Sequence, residues 1–370
     1  MIRPRRHAIR KHVELSAQTE NPRLLDSQLS QFTAASIHAT QTHAFDPRAT
    51  ALTLGATTAA PVMAVDIGGD KLIASTYFAG DGALRQDGPP RVLRGTAGGG
   101  YLDLLEEMSS LAAVRLTPIG VSYAGPVQGS RVVAGINVAT FLQEFRTRYE
   151  GDFARLNPRT TLVNDGEAGL LAATLEAVRR YSAVRNVIFV INGSGLNCAV
   201  WKDGAVFTTE AGHVPVIGQL NPLRQRRACG MHGATYVCVE NVAASKAGIE
   251  DVWWQWRRQR ASGREVASAA AQGDELARHL YENSAWVTAH VVKGTASVFG
   301  FADDWNATAV VAHGGTFQVP GYLERVRAIL ETDIAGRILI FATTDFSSNA
   351  CLDGAAIAAL SNSQLNPAKS

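Results

Sequence analysis

Two stretches decide the fold: 62-VMAVDIGGDKLIASTYFA-79 and 186-NVIFVINGSGLNCAVWKDGAVF-207. Each opens with an apolar run that fits a buried strand, breaks at glycines that fit a tight turn, and resumes as a second apolar strand. The device occurs twice, near residues 66 and 193, so the chain carries a duplicated strand–turn–strand unit. Working outward, Leu102, Leu105, Met108, Leu111, Ala112 and Leu116 recur at helical spacing. The segments 118-PIGVSYAG-125 and 131-RVVAGINV-138 read as strands, and 160-TTLVNDGEAGLLAATLEAV-178 as a strand running into a helix. Near the end, 309-AVVAHGGTF-317 gives a strand and a Gly-Gly turn. It is followed by a helix at 325-RVRAIL-330, a strand at 337-RILIFAT-343 and a small-residue helix at 350-ACLDGAAIAAL-360. Strands alternate with helices throughout, which defines an α/β protein.

The 370 residues are 46% apolar and 18% charged, enough for a large core and too long for one typical domain. Disordered, coiled-coil and disulfide-stapled classes are excluded, the last because four cysteines cannot staple a chain of this length. The net charge of +2 is too balanced to call for nucleic acid, and the excess sits early. Residues 1–60 hold seven basic residues against four acids, leaving 28 against 29 in the remainder. No run approaches the ~18 apolar residues that span a bilayer, and no apolar core follows the basic N-terminus as in a secretory signal. A cytoplasmic setting without membrane or nucleic-acid partners is therefore expected. Residues 1–60 read as a flexible extension ending at Pro61, with a short helix over 8–16, too few apolar residues for a winged helix, and no part in chemistry.

Among motifs, Asp66-Ile67-Gly68-Gly69-Asp70-Lys71 sets a carboxylate at a strand end before a glycine turn. Such a turn lets backbone N–H groups approach an anion, and the carboxylate can hold a hydrated divalent cation. Gly193-Ser194-Gly195 is a second turn of the same kind. There is no GxxxxGK[ST] and no strand–GxGxxG–helix unit, which argues against a P-loop enzyme and a dinucleotide-binding dehydrogenase.

In order along the chain, these turns are joined by Gly125-Pro126-Val127, Asn137, Asn164-Asp165, Glu210-x-Gly212-His213, Cys229-Gly230-x-x-Gly233, Glu240 and Gly314-Gly315. This ordered set resembles the ROK family of sugar kinases and related repressors over residues 62–361. The resemblance implies two actin-like, ribonuclease-H-like lobes around a nucleotide and sugar cleft. It implies a small lobe over 61–166, to which a helix at 346–361 returns, and a large lobe over 167–345. The implied reaction is ATP-dependent phosphorylation of a hydroxyl on a hexose, an amino sugar or a hexose-like cyclitol. Asp165 would be the base, since a carboxylate can orient an alcohol and take its proton late in a loose phosphoryl-transfer transition state. Asn137, Asn164, Glu210, His213 and Glu240 would hold the sugar. Gly68, Gly69, Lys71, Gly193, Ser194 and Gly195 would cradle phosphates, Asp66 would sit by Mg²⁺, and Gly314 and Gly315 would lie against the nucleoside. A sugar-binding regulator or pseudokinase of the same fold is the alternative, and a homodimer the expected assembly.

Two departures stand out. Asp70 replaces a threonine of the family's phosphate turn, which sets a carboxylate beside the cradle unless it points into solvent. The family's zinc segment carries Arg227 and Ala234 at two cysteine positions, leaving His213, Cys229 and Cys238 as a candidate zinc set. The basic, aromatic run 253-WWQWRRQR-260 reads as tryptophans packed in the core or a dimer interface, with arginines in water.

Overall fold

The two glycine-turn hairpins nucleate two sheets, seen in a computed structural model that describes residues 37, 39–56, 61–80, 83–95, 98–135, 138–216, 237–332 and 338–365. In the first sheet, Pro61–Ile67 (β2) and Lys71–Gly80 (β3) pair antiparallel, with Ile67 opposite Leu72 across the turn. Ala83–Gln86 (β4) and Arg91–Arg94 (β5) extend β3, while Ile119–Tyr123 (β6) and Thr160–Asn164 (β9) continue parallel to β2. In the second sheet, Asn186–Asn192 (β10), Leu196–Lys202 (β11) and Ala205–Thr209 (β12) form an antiparallel meander. Thr308–His313 (β15) and Leu339–Ala342 (β16) then run parallel to β10. The orders β4-β3-β2-β6-β9 and β12-β11-β10-β15-β16 match strand for strand. Central β2 and β10 are almost wholly buried, which is why they read as continuous apolar runs rather than alternating ones.

Two two-residue ladders join Val127–Gln128 (β7) to Arg131–Val132 (β8) and Pro215–Val216 (β13) to Val237–Cys238 (β14). The strand expected over 131–138 is therefore only two residues long. Among the helices, Pro47–Ala56 (α1), Tyr101–Val114 (α2) and Ala139–Tyr149 (α3) belong to the first half of the chain. Asp165–Arg180 (α4) begins where β9 ends. Glu275–Val298 (α5) and Tyr322–Glu331 (α6) cover the second sheet, and Ala350–Leu365 (α7) returns to pack on α4, β2 and β6. The small residues of α7 are needed for that return: a Cβ on Gly354 would stand 1.6 Å from the Ala168 carbonyl oxygen, so the two helices meet backbone to backbone.

One further expectation is corrected. Residues 39–56 are not part of a flexible arm. Ala39–Ala44 (β1) adds a strand to β12, and α1 packs on α4, β3 and β4. The polar sequence ATQTHA gave no strand signal because β1 is held by edge hydrogen bonds rather than by an alternating apolar face. The helix expected over 8–16 lies outside the described residues. In the aromatic run only Trp253 enters the core; Trp254 and Trp256 remain 43% and 42% exposed. Among the described residues no helix is long and apolar enough to cross a membrane.

Candidate active site

The first glycine turn is closed by the Gly68 N–H, which donates to the Lys71 carbonyl at 3.0 Å. Just before it, Asp66 is buried at the end of β2, its two carboxylate oxygens held from different elements. Ser122 on β6 donates to one at 2.8 Å, and the Asn349 amide before α7 donates to the other at 3.1 Å. Burial raises the Asp66 pKa, opposed by these hydrogen bonds and by the Lys71 charge. Asp70 is exposed, as expected of a carboxylate turned away from a phosphate cradle. Ser122 and Asn349 carry no motif, although an Asn directly before an apolar helix is a cap signal that would have drawn attention to 349.

Asp165 opens α4. Asn164 caps the helix, its Oδ1 accepting from the Gly166 N–H at 2.9 Å and its Nδ2 donating to the Gly125 carbonyl at 2.9 Å. The Asn-Asp pair is thus fixed by helix capping, with the Asn tethered to the Gly-Pro-Val segment. Burial, then the nearby Asp66 charge, raises the Asp165 pKa to about 7, against hydrogen bonds that lower it. His313, at the end of β15, accompanies this pair. Its Nδ1 lies 2.8 Å from the Thr343 hydroxyl, and burial together with Lys71 lowers its pKa to about 4, so the ring is neutral at physiological pH. The Cys351 thiol donates to the Asp165 carbonyl at 3.4 Å and sits 3.8 Å from His313 Nε2. Burial, Asp66 and Asp165 push that thiol well above its usual range, which makes it a packing group rather than a nucleophile.

The second turn rests on a buried polar network. Asn192 Nδ2 donates to Thr288 Oγ1 and to the Tyr322 hydroxyl, both at 2.9 Å, and Ser284 lies 2.8 Å from the same hydroxyl. The Gly193 N–H donates to the Gly195 carbonyl at 2.9 Å, and the Ser245 N–H to the Gly193 carbonyl at 2.7 Å. Gly314, at φ 110°, lies so close that a Cβ would stand 2.2 Å from the Asn192 carbonyl oxygen. A Cβ on Gly193 would in turn lie 3.7 Å from the Gly315 nitrogen. The two glycine segments face each other without side chains, with Ser194 and Gly315 exposed. Backbone arranged in this way accepts an anion or a flat ring.

Glu210, His213 and Glu240 converge beside this turn. His213 Nε2 lies 3.9 Å from Glu210 Oε2, and Glu240 Oε2 accepts from the Leu196 N–H at 3.3 Å. Burial raises the pKa of both glutamates; at Glu210 the His213 charge opposes it and Glu240 adds to it. Cys238 donates its thiol to the His213 carbonyl at 3.2 Å, bringing two members of the candidate zinc set together. Cys229 and Asn137 lie outside the described residues, and among the described residues no three His, Cys, Asp or Glu side chains are grouped to hold a metal.

The ROK family model matches residues 62–361, and the chain belongs to that family. It is 30% identical over 202 residues to the N-acetylmannosamine kinase of Citrobacter koseri, covering 54% of this chain and 64% of that protein. It is 28% identical over 206 residues to the enzyme of that name from Salmonella typhimurium, with the same coverage. The chain thus spans less than two thirds of the length of these relatives. Among solved structures, the ROK hexokinase from Thermus thermophilus matches with a TM-score of 0.57 at 21% identity, covering 82% of this chain and 99% of that one. A ROK family glucokinase from Streptomyces griseus in complex with glucose and AMPPNP matches with a TM-score of 0.56 at 19% identity, covering 80% and 98%. The fold is that of these proteins, two actin-like lobes, each built on one of the duplicated sheets.

Proposed function

We propose that the chain is an ATP-dependent kinase that phosphorylates a hydroxyl of a hexose, an amino sugar or a hexose-like cyclitol. The observation that carries this reading is Asp165, poised near neutrality at the head of α4, beside buried Asp66. A base whose pKa lies near the working pH is ionised often enough to act and basic enough to accept a proton. In this reading Asp165 orients the attacking hydroxyl and takes its proton as the bond to phosphorus forms. Asn137, Asn164, Glu210, His213 and Glu240 hold the remaining hydroxyls, a set of acceptors and donors that a polyol needs together. Backbone N–H groups of Gly69, Ser194 and Gly195, in turns that the Gly68 and Gly193 N–H groups close, receive the phosphates with the Lys71 ammonium, and the bare faces of Gly314 and Gly315 receive the nucleoside. The facing glycine segments, closed to any Cβ at Gly314, support a nucleotide there.

The Asp66 carboxylate is the group that would hold a hard cation such as Mg²⁺, which takes one or two carboxylates plus phosphates and water, and when bound would offset phosphate charge. His213 and Cys238, with Cys229, are the candidate ligands of a structural zinc. The need for ATP places the reaction in the cytoplasm, and exposed Trp254 and Trp256 support a homodimer as the assembly.

A coupled ATP-consumption assay over hexoses, hexosamines and cyclitols, with N-acetylmannosamine and glucose first, tests the reading in wild type and Asp165→Asn. Turnover in the variant is expected to fall by about 10²–10⁴-fold, with sugar affinity by calorimetry nearly unchanged. If wild type binds a sugar but transfers phosphate to none with Mg²⁺ present, the chain is a sugar-binding regulator or pseudokinase instead.

A further inference from the structure

The segment 39–56 lies outside the family match and ties together parts of the molecule that the family match covers. Its first half belongs to the second sheet: β1 pairs with β12, the Phe45 N–H donates to the Gly204 carbonyl at 2.7 Å, and Trp201 Nε1 donates to the Phe45 carbonyl at 2.9 Å. Its second half belongs to the first lobe, where Leu54, 2% exposed, packs with Val62, Ile73, Tyr77 and Leu352. Between these anchors the chain passes over α4, the helix that Asp165 opens.

One side chain of this strap reaches that helix. His43 Nδ1 lies 2.9 Å from Glu167 Oε1, and the Glu167 side chain is only 6% exposed, so its charge is kept out of water. A buried carboxyl group needs a hydrogen-bond partner, and the His43 ring supplies one. The register shows how His43 gets there. A bulge between Gln41 and His43 leaves Thr42 as the extra residue and sets His43, not Thr42, opposite Val206. Paired residues share a face, and Val206 packs with Ala168 and Leu171 on α4. Without the bulge His43 would point to the other side of the sheet, since a one-residue slip inverts every side chain.

We infer that His43 is a positioning residue for Asp165: through Glu167 it fixes the first turn of α4, so the N-terminal strap sets the placement of the base. Glu167 stands two residues beyond Asp165, within the same helical turn, and an acid there also suits the helix N-terminus. A base displaced by a fraction of an ångström costs rate rather than binding.

The test uses the full chain, and its turnover arm rests on the kinase reading. His43→Ala is expected to lower kcat about tenfold with sugar KM within twofold. His43→Gln, which can still donate to Glu167, is expected to restore kcat to within threefold of wild type. The double variant His43→Ala with Glu167→Gln should be no slower than the slower single one, because both break one contact. Hydrogen exchange at the amides of 166–168 needs no turnover and should speed up in His43→Ala, while exchange in β10 stays as in wild type. Unchanged exchange at those amides, or additive losses in the double variant, would overturn the inference whether or not the kinase reading survives. An inactive wild type with faster exchange in His43→Ala would overturn only the kinase reading.

Discussion

The carboxylate of Asp66, at the end of β2, is the second cause, after burial, of the raised pKa of Asp165 at the head of α4. Removing the Asp66 charge in Asp66→Asn should lower the Asp165 pKa from about 7 while leaving it above the ordinary 3.8, because burial is the larger cause. Carbon-13 NMR titration of the Asp165 carboxyl reads this directly. A value unmoved by the substitution would show that the two groups are uncoupled.

Stability should report the same residue. The folded chain keeps a proton on Asp165 that the unfolded chain releases above its ordinary pKa, so between about pH 4 and 7 this group makes stability fall by about 1.4 kcal/mol per pH unit. Asp165→Asn removes that loss. Denaturant unfolding without nucleotide is expected to show the variant more stable than wild type at pH 8 and equal to it near pH 3. Equal stability at both would place the Asp165 pKa at its ordinary value.

Gly195 couples the phosphate turn to the sugar group. A Cβ there would lie 2.9 Å from Glu240 Oε2, close enough to push the carboxylate off the Leu196 N–H. Gly195→Ala is therefore expected to weaken sugar binding about tenfold, the scale of one charge-assisted hydrogen bond. Nucleotide affinity should change less than threefold. Calorimetry with each ligand separates the two, and a loss confined to the nucleotide would show that Glu240 takes no part in holding the sugar.

Leu54→Ala tests whether the strap is part of the core. Its side chain is buried among first-lobe residues, and such truncations cost about 2–5 kcal/mol. A loss of that size in urea unfolding is expected, whereas a flexible extension predicts none.

The duplicated hairpins, the helix after Asn164-Asp165 and the small-residue helix at 350 were legible because buried parallel strands and close helix contacts restrict which residues can occupy them. The partners that tune the site were not. Ser122 looks like any residue of a buried strand until β6 sets it against Asp66, and His313 like an ordinary strand end until β15 brings it to Cys351, whose thiol reaches the Asp165 carbonyl. In the candidate zinc set, His213 and Cys238 meet through a backbone carbonyl, a contact that spacing in the sequence does not show. Residues 39–44 were misread because a polar edge strand owes its position to a partner some 165 residues away, which local periodicity cannot record.

That edge strand also changes what the molecule shows to its neighbours. Without β1, the row of backbone donors and acceptors along β12 would face solvent, an invitation for another chain to add itself to the sheet. With it, the outermost strand is short, carries Thr40, Gln41, Thr42 and His43, and is kinked by its bulge, a poor template for further growth. Removing Ala39–Ala44 would thus turn a shielded sheet margin into an adhesive one, and the symptom would be loss of colloidal solubility at high protein concentration.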